Sequence, residues 1–261
     1  MRNLVERFGD AVQWLGFFGL ILLAWGVLYI MQPSAADADL IRLYGSDFWA
    51  SLCAPATGQS AYFAVFLMWA LMSAAMMAPT FVPTLKTYRD LTHTEAANGR
   101  TSVALLAAYL GVWIGFSLVA AGAQLLLARL DFLSGDGASI SLGLTAALLL
   151  TAGIYQFTPL KEACLAKCRA PLTFFVQHWT PGTAGALRMG GVLGLVCLGC
   201  CWALMSLGFV GGVMNLIWMG VATVLMVLEK LPQIGRAITK PLGVALVAAG
   251  LWAGLQAVVG I

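Results

Sequence analysis

The chain has 261 residues, 61% of them hydrophobic and 10% charged, with a formal charge of +3 and a mean hydropathy of +0.90. Soluble domains carry about 25% charged residues, so this composition excludes a soluble globular domain and predicts an all-α, polytopic membrane helix bundle. A net charge of +3 is too small for nucleic-acid binding, and the expected partner along most of the chain is the lipid bilayer.

A helix needs about 20 apolar residues to cross the hydrocarbon core. Seven segments read this way: 11–31, 61–79, 102–128, 138–158, 189–208, 212–228 and 241–260. The first follows Arg2 and Arg7 and resembles a signal peptide. Its apolar stretch exceeds the roughly 7–15 residues of a cleaved leader, so it reads as a retained anchor. The loop 32–60 holds Asp37, Asp39, Asp47 and a lone Cys53. Loops 80–101 and 159–188 are long enough for short surface helices, and 171–188, with Phe174, Phe175 and Trp179, is expected in the interface. The fifth and sixth segments form one apolar run, divided at Gly208-Phe209-Val210-Gly211-Gly212, where glycines permit a tight reversal. With a cytoplasmic N-terminus, only Arg42 and Arg129 of the 14 Lys and Arg residues fall outside. That bias follows the positive-inside rule and predicts seven spans, a C-terminus outside, and a single domain in a bacterial inner membrane.

The fifth segment carries GLVCLGCCWALM (194–205), with Cys197, Cys200 and Cys201 in five positions. At helical spacing these thiols and Met205 share an arc of about 140°. Their height along the helix places them near the middle of a core about 30 Å thick. In the second segment Met68, Met72 and Met76 recur every four residues, while Met77 points away. In the sixth, Asn215, Met219 and Met226 share a face. Three helices thus predict a sulfur-rich seam. Thiolates and thioethers select Cu(I) over harder ions. Zinc, which favours Cys with His, is the second candidate; the two histidines, His93 and His178, lie in loops. Met and Cys also serve as adaptable apolar packing, which weighs against reading a Met stripe alone as a metal path.

A second thiol pair, Cys164 and Cys168, lies four residues apart on a short helix expected to begin near Pro159. Lys161, Lys167 and Arg169 are expected to surround these thiols and favour their ionised form. Gln124, Gln156 and Asn215 are candidates for interhelical hydrogen bonds, with Gln156 placed to orient the thiol loop. Glu229 and Lys230 are expected to anchor the sixth segment at the interface. Trp69, Trp202 and Trp218 fall within spans, where their indole N–H groups need acceptors.

Four stretches carry a family resemblance: MWALMSAAMMAP (68–79), GIYQFTPLKEACLAKCRAP (153–171), GGVLGLVCLGCCWALMSLGFVGGVMNLIWM (190–219) and LEK (228–230). Together they resemble the DUF2182 family, described as predicted metal-binding integral membrane proteins, over about residues 60–231. The resemblance implies metal binding and carries the expected sulfur positions onto Cys164, Cys168, Cys197, Cys200, Cys201, Met72 and Met76.

Three functions remain open at this level. One is Cu(I) handling, by transport or by delivery to a membrane enzyme, with a soluble metal chaperone or membrane metalloenzyme as partner. The second is a structural or assembly subunit of a larger membrane complex, in which Gly111, Gly115, Gly191 and Gly194 allow close helix contact. The third is a thiol–disulfide oxidoreductase using Cys197 and Cys200. Reactive CxxC thiols ordinarily stand at a helix N-terminus, whereas these are mid-helix. No Lys in 241–260 is available for a retinal Schiff base, no span has a carboxylate near its centre, and no nucleotide-binding or hydrolase motif occurs.

Overall fold

Backbone groups in apolar surroundings must be satisfied within their own segment, and helices achieve this. The computed structural model describes residues 2–30, 59–91, 99–134 and 137–259. The expected loop with Cys53 and its three aspartates lies outside the described residues, as does His93. The helices in chain order are α1 (Arg2–Ile30), α2 (Gln59–Asp90), α3 (Gly99–Arg129), α4 (Leu142–Tyr155), α5 (Pro159–Arg169), α6 (Pro171–His178), α7 (Gly182–Ser206), the single turn α8 (Gly208–Gly211), α9 (Leu216–Lys230) and α10 (Gly235–Val259). The β pairing among the described residues is one isolated bridge, Leu133 with Ser139.

Four of these stretches are long and apolar enough to cross a membrane: Tyr62–Asp90, Gly99–Arg129, Gly182–Gly211 and Gly235–Val259. α4 and α5 make a fifth if counted as one span, although they meet at 63°. α1 runs from Arg2 to Ile30 and is apolar over Trp14–Ile30, and α9 has 15 residues, about 22 Å of helix. Among the described residues, four or five helices thus reach spanning length by themselves; hydropathy marks apolar segments and does not register where a helix is capped. The 138–158 segment shows this. Its helix starts at Leu142 behind the Ser141 cap and ends at Tyr155, and the chain then turns at Thr158, whose side chain caps α5 through the Lys161 N–H at 3.3 Å.

Helix α2 contains Pro79 and Pro83. A proline removes the bond to the carbonyl four residues earlier, which for Pro79 is that of Ala75. The Trp25 indole N–H of α1 donates to that carbonyl at 3.1 Å, so the break in the ladder also docks α1. Helix α3 packs chiefly on α7 and on α2, and α10 packs on α4. The α3–α7 crossing is close because of glycine: a Cβ at Gly190 would run into the Leu105 carbonyl, and one at Gly194 would lie 2.7 Å from a Val112 methyl. Gly111, Gly115 and Gly191 have nothing within 4 Å of that position, so of the four glycines named for contact only Gly194 makes one.

The 171–188 segment does not form one surface helix. Its last residues belong to α7, and α6 buries Phe174 and Phe175. The Phe175 and Trp179 rings stand 5.3 and 5.6 Å from the Tyr88 ring of α2. Between α7 and α9 the chain reverses through α8 and Gly212, whose φ of 90° is open to glycine at little cost. Large apolar side chains face outward on α1, α3 and α10, among them Leu22, Val119, Trp252 and Val258. Soluble surfaces avoid apolar patches of this extent, whereas lipid accommodates them.

Candidate metal centre

The thiols of α7 come together because 3.6-residue periodicity turns positions 197, 200 and 201 toward the interior. Their Sγ atoms all lie within 4.8 Å of one another, and all three residues are buried. Cys200 Sγ is 3.3 Å from Cys201 Sγ and donates to the Cys197 carbonyl at 3.1 Å. Helix α5 adds a fourth thiol: Cys168 Sγ stands 3.9 Å from Cys200 Sγ. Cys164 lies against α7 at Gly199, where a Cβ would come within 2.7 Å of its sulfur. The five cysteines among the described residues are free of disulfides. An ion bonded to thiolates at about 2.3 Å in a three-sulfur plane spaces those sulfurs by about 4 Å. The α7 trio fits a soft ion after shifts of under an ångström in rotatable side chains.

Polar groups from three other helices converge on Cys197. The Tyr109 hydroxyl of α3 lies 3.0 Å from its sulfur. The Lys230 ammonium at the end of α9 donates to the same sulfur at 3.0 Å and to Thr80 Oγ1 of α2 at 2.7 Å. Tyr109 is held in turn by Thr80, at 3.3 Å, and by stacking on Phe81 with ring centroids 4.0 Å apart. Cys197 thus has a polar side facing Tyr109 and Lys230, while Cys200 faces Cys201 and Cys168.

The methionines are less directly placed. Met68, Met72, Met76, Met205 and Met219 are all buried, and so are Met77 and Met226. Met72 and Met76 precede Thr80 by eight and four residues, so they share the α2 face that meets Lys230. Met219 and Met226 share the α9 face that ends at Lys230. The Met stripes and the thiols therefore adjoin through the Thr80–Lys230 contact.

Other expected residues are placed differently. Glu229 and Lys230 do not anchor α9 at an interface. Glu229 is 1% exposed and accepts from Lys161, also 1% exposed, at 2.9 Å, while Lys230 turns to the thiols. Lys161 and Arg169 do not attend the α5 thiols either. Arg169 donates from Nε to the Glu229 carbonyl at 2.8 Å and from Nη2 to Thr239 at 3.2 Å. A buried charge finds a partner ahead of other roles: Lys161 takes Glu229 on α9, and Arg169 also meets Glu162 of its own helix at 3.4 Å. Asn215 is exposed and caps α9, accepting from the Trp218 N–H at 3.1 Å. Gln156 is buried, and its amide finds no hydrogen-bond partner among the described residues. Gln124 does join helices, accepting from Trp69 Nε1 at 2.6 Å. The Trp218 indole donates to the Leu207 carbonyl at 2.8 Å. Trp202 packs edge-on against Tyr155, with centroids 5.1 Å apart. His178 bonds the Phe174 carbonyl at 3.1 Å and supplies no ligand to the thiols.

Sequence reasoning missed Tyr109, Thr80 and Lys230. Lys230 carried a usable signal, since positions 219, 223, 226 and 230 follow one another at three- and four-residue spacing on one helix face. Tyr109 and Thr80 carried none, because nothing local ties either to a thiol about ninety or more positions away.

Among known proteins, no curated protein and no solved structure matches the chain. A family model described as PpoB2, copper chaperone, matches residues 66–253 and so takes in every cysteine of the centre. With well over half of its length within that match, the chain belongs to the PpoB2 copper chaperone family.

Proposed function

We propose that the protein is an integral membrane copper chaperone whose cargo is Cu(I), held by Cys197, Cys200 and Cys201 and exchanged with the α5 pair Cys164 and Cys168. The observation that carries this reading is the convergence of thiols from two helices, with Cys168 Sγ 3.9 Å from Cys200 Sγ beside a buried three-thiol group. Soft sulfur ligands favour Cu(I), and the family description agrees. The sulfur spacing lets an ion gain a bond to the next thiol before it loses one to the last, so no step leaves it without ligands. Met72, Met76 and Met68 on α2, with Met205 and Met219, extend this path as weak thioether sites that an ion can enter and leave. The seven apolar segments and the distribution of Lys and Arg favour a cytoplasmic N-terminus in a bacterial inner membrane. The α5 thiols then face the cytoplasmic side, where a soluble metal chaperone or a membrane metalloenzyme exchanges the ion.

Purified protein loaded anaerobically with Cu(I) is expected to retain close to one equivalent after desalting. The Cys197/Cys200/Cys201→Ser triple variant should retain almost none, and excess Zn(II) should not displace the ion. Equal retention by the variant would remove the α7 centre and leave a structural subunit as the better reading. Cys168→Ser should affect rate more than capacity. The α7 trio remains, so equilibrium loading persists, but release to a chromogenic cuprous chelator, followed by stopped flow, is expected to slow at least about tenfold, the kinetic equivalent of about 1.4 kcal/mol.

A further inference from the structure

Lys230 places a positive charge inside the thiol centre, 3.0 Å from Cys197 Sγ. No carboxylate pairs with it among the described residues. Glu229, its neighbour in sequence, turns to Lys161 at 2.9 Å. The groups facing the ammonium are the Cys197 sulfur and the Thr80 hydroxyl, the latter at 2.7 Å, and Tyr109 stands on the other side of the same sulfur, at 3.0 Å. A lysine that only anchors a helix end extends toward water or head groups. This one bends inward, along the face on which Met219, Thr223 and Met226 are buried.

A charge so placed discriminates between ions. Any cation bound to Cys197 lies within a few ångströms of the ammonium, and a divalent ion meets twice the repulsion that a monovalent ion does. At about 5 Å and an effective dielectric of about 20, one extra unit of charge corresponds to roughly a hundredfold in affinity, and partial shielding by the intervening sulfur leaves about tenfold or more.

We propose that Lys230 is the specificity-determining residue of the thiol centre, admitting a monovalent soft cation and disfavouring divalent thiophilic ions such as Zn(II) and Cd(II). The inference rests on the Cu(I) reading above for its cargo, but its charge argument concerns any ion at Cys197. The test compares wild type with Lys230→Met, Lys230→Gln and Lys230→Arg in the full-length purified protein. Cd(II) binding is read from the thiolate-to-metal absorption band, and Cu(I) affinity from competition with a chromogenic chelator. The neutral variants are expected to gain at least tenfold in Cd(II) affinity relative to Cu(I), and the arginine variant to keep the wild-type ratio. Two neutral variants guard against one failing to fold. An unchanged ratio in whichever neutral variant folds, or the same gain in the arginine variant, overturns the proposal. If wild type binds no Cu(I), the cargo reading fails, while the Cd(II) gain in the neutral variants still decides whether Lys230 repels divalent ions.

Discussion

Glu229→Ala is expected to destabilise the folded protein by about 3–5 kcal/mol, the usual cost of removing one member of a buried ion pair. Glu229 and Lys161 are each 1% exposed and meet at 2.9 Å, so the alanine variant leaves an ammonium buried without its counter-charge. The damage is directed. Glu229 holds both ends of α5, through its side chain to Lys161 in the first turn and through its carbonyl to Arg169 in the last, at 2.8 Å. The carbonyl bond to Arg169 survives in the alanine variant, so α5 stays tethered at its last turn and swings at Lys161, which should make the approach of Cys168 to Cys200 less frequent. Two measurements check this: thermal unfolding in detergent, and the rate at which a mild oxidant couples Cys168 to Cys200 in a Cys164→Ser background. Both should fall. The double variant Lys161→Met with Glu229→Leu removes both charges, and apolar replacement of a buried pair is often neutral, so it should recover most of the stability. A double variant as unstable as the single one would show that the pair's charge is not what Glu229 contributes.

Gly190→Leu is expected to have the second large effect, because it acts on backbone spacing. A Cβ at this position already collides with the Leu105 carbonyl and lies 3.1 Å from the Ala108 Cβ, and neither can move without displacing α3. Overpacking typically costs about 1–3 kcal/mol and more where backbone must shift. The functional consequence follows from Tyr109, one turn beyond Leu105 on α3, whose hydroxyl sits 3.0 Å from Cys197 Sγ. Separating α3 from α7 should weaken metal retention as well as lower the melting temperature. Gly191→Leu is the matched control: nothing lies within 4 Å of its Cβ position, so the variant should melt close to wild type and keep its copper. If the two variants behave alike, the close α3–α7 crossing is not what shapes the site.

The contrast between Glu229 and Cys200 shows which features a single sequence makes legible. Cys197, Cys200 and Cys201 are on one helix, so periodicity alone brings them together, and their softness points to the class of ion. The start of α5 at Pro159 is equally local, since proline is preorganised for a first turn. Glu229 is different. Its neighbours in sequence suggest an exposed pair at a helix end, but its partner is Lys161, 68 positions away, and only packing could make that choice.

Composition and periodicity by themselves determined an all-helical chain with long apolar helices and the three-thiol group of α7, because each depends on residue chemistry and the pitch of one helix. Tertiary structure decided the rest. It brought Cys168 to Cys200, paired Lys161 with Glu229, turned Lys230 and Tyr109 onto Cys197, and left Asn215 as a cap. These contacts join helices far apart in sequence, and which faces meet depends on small residues such as Gly190, which admits the α3 backbone, and Gly199, which admits the Cys164 side chain. A buried charge then takes whichever partner that packing leaves within reach.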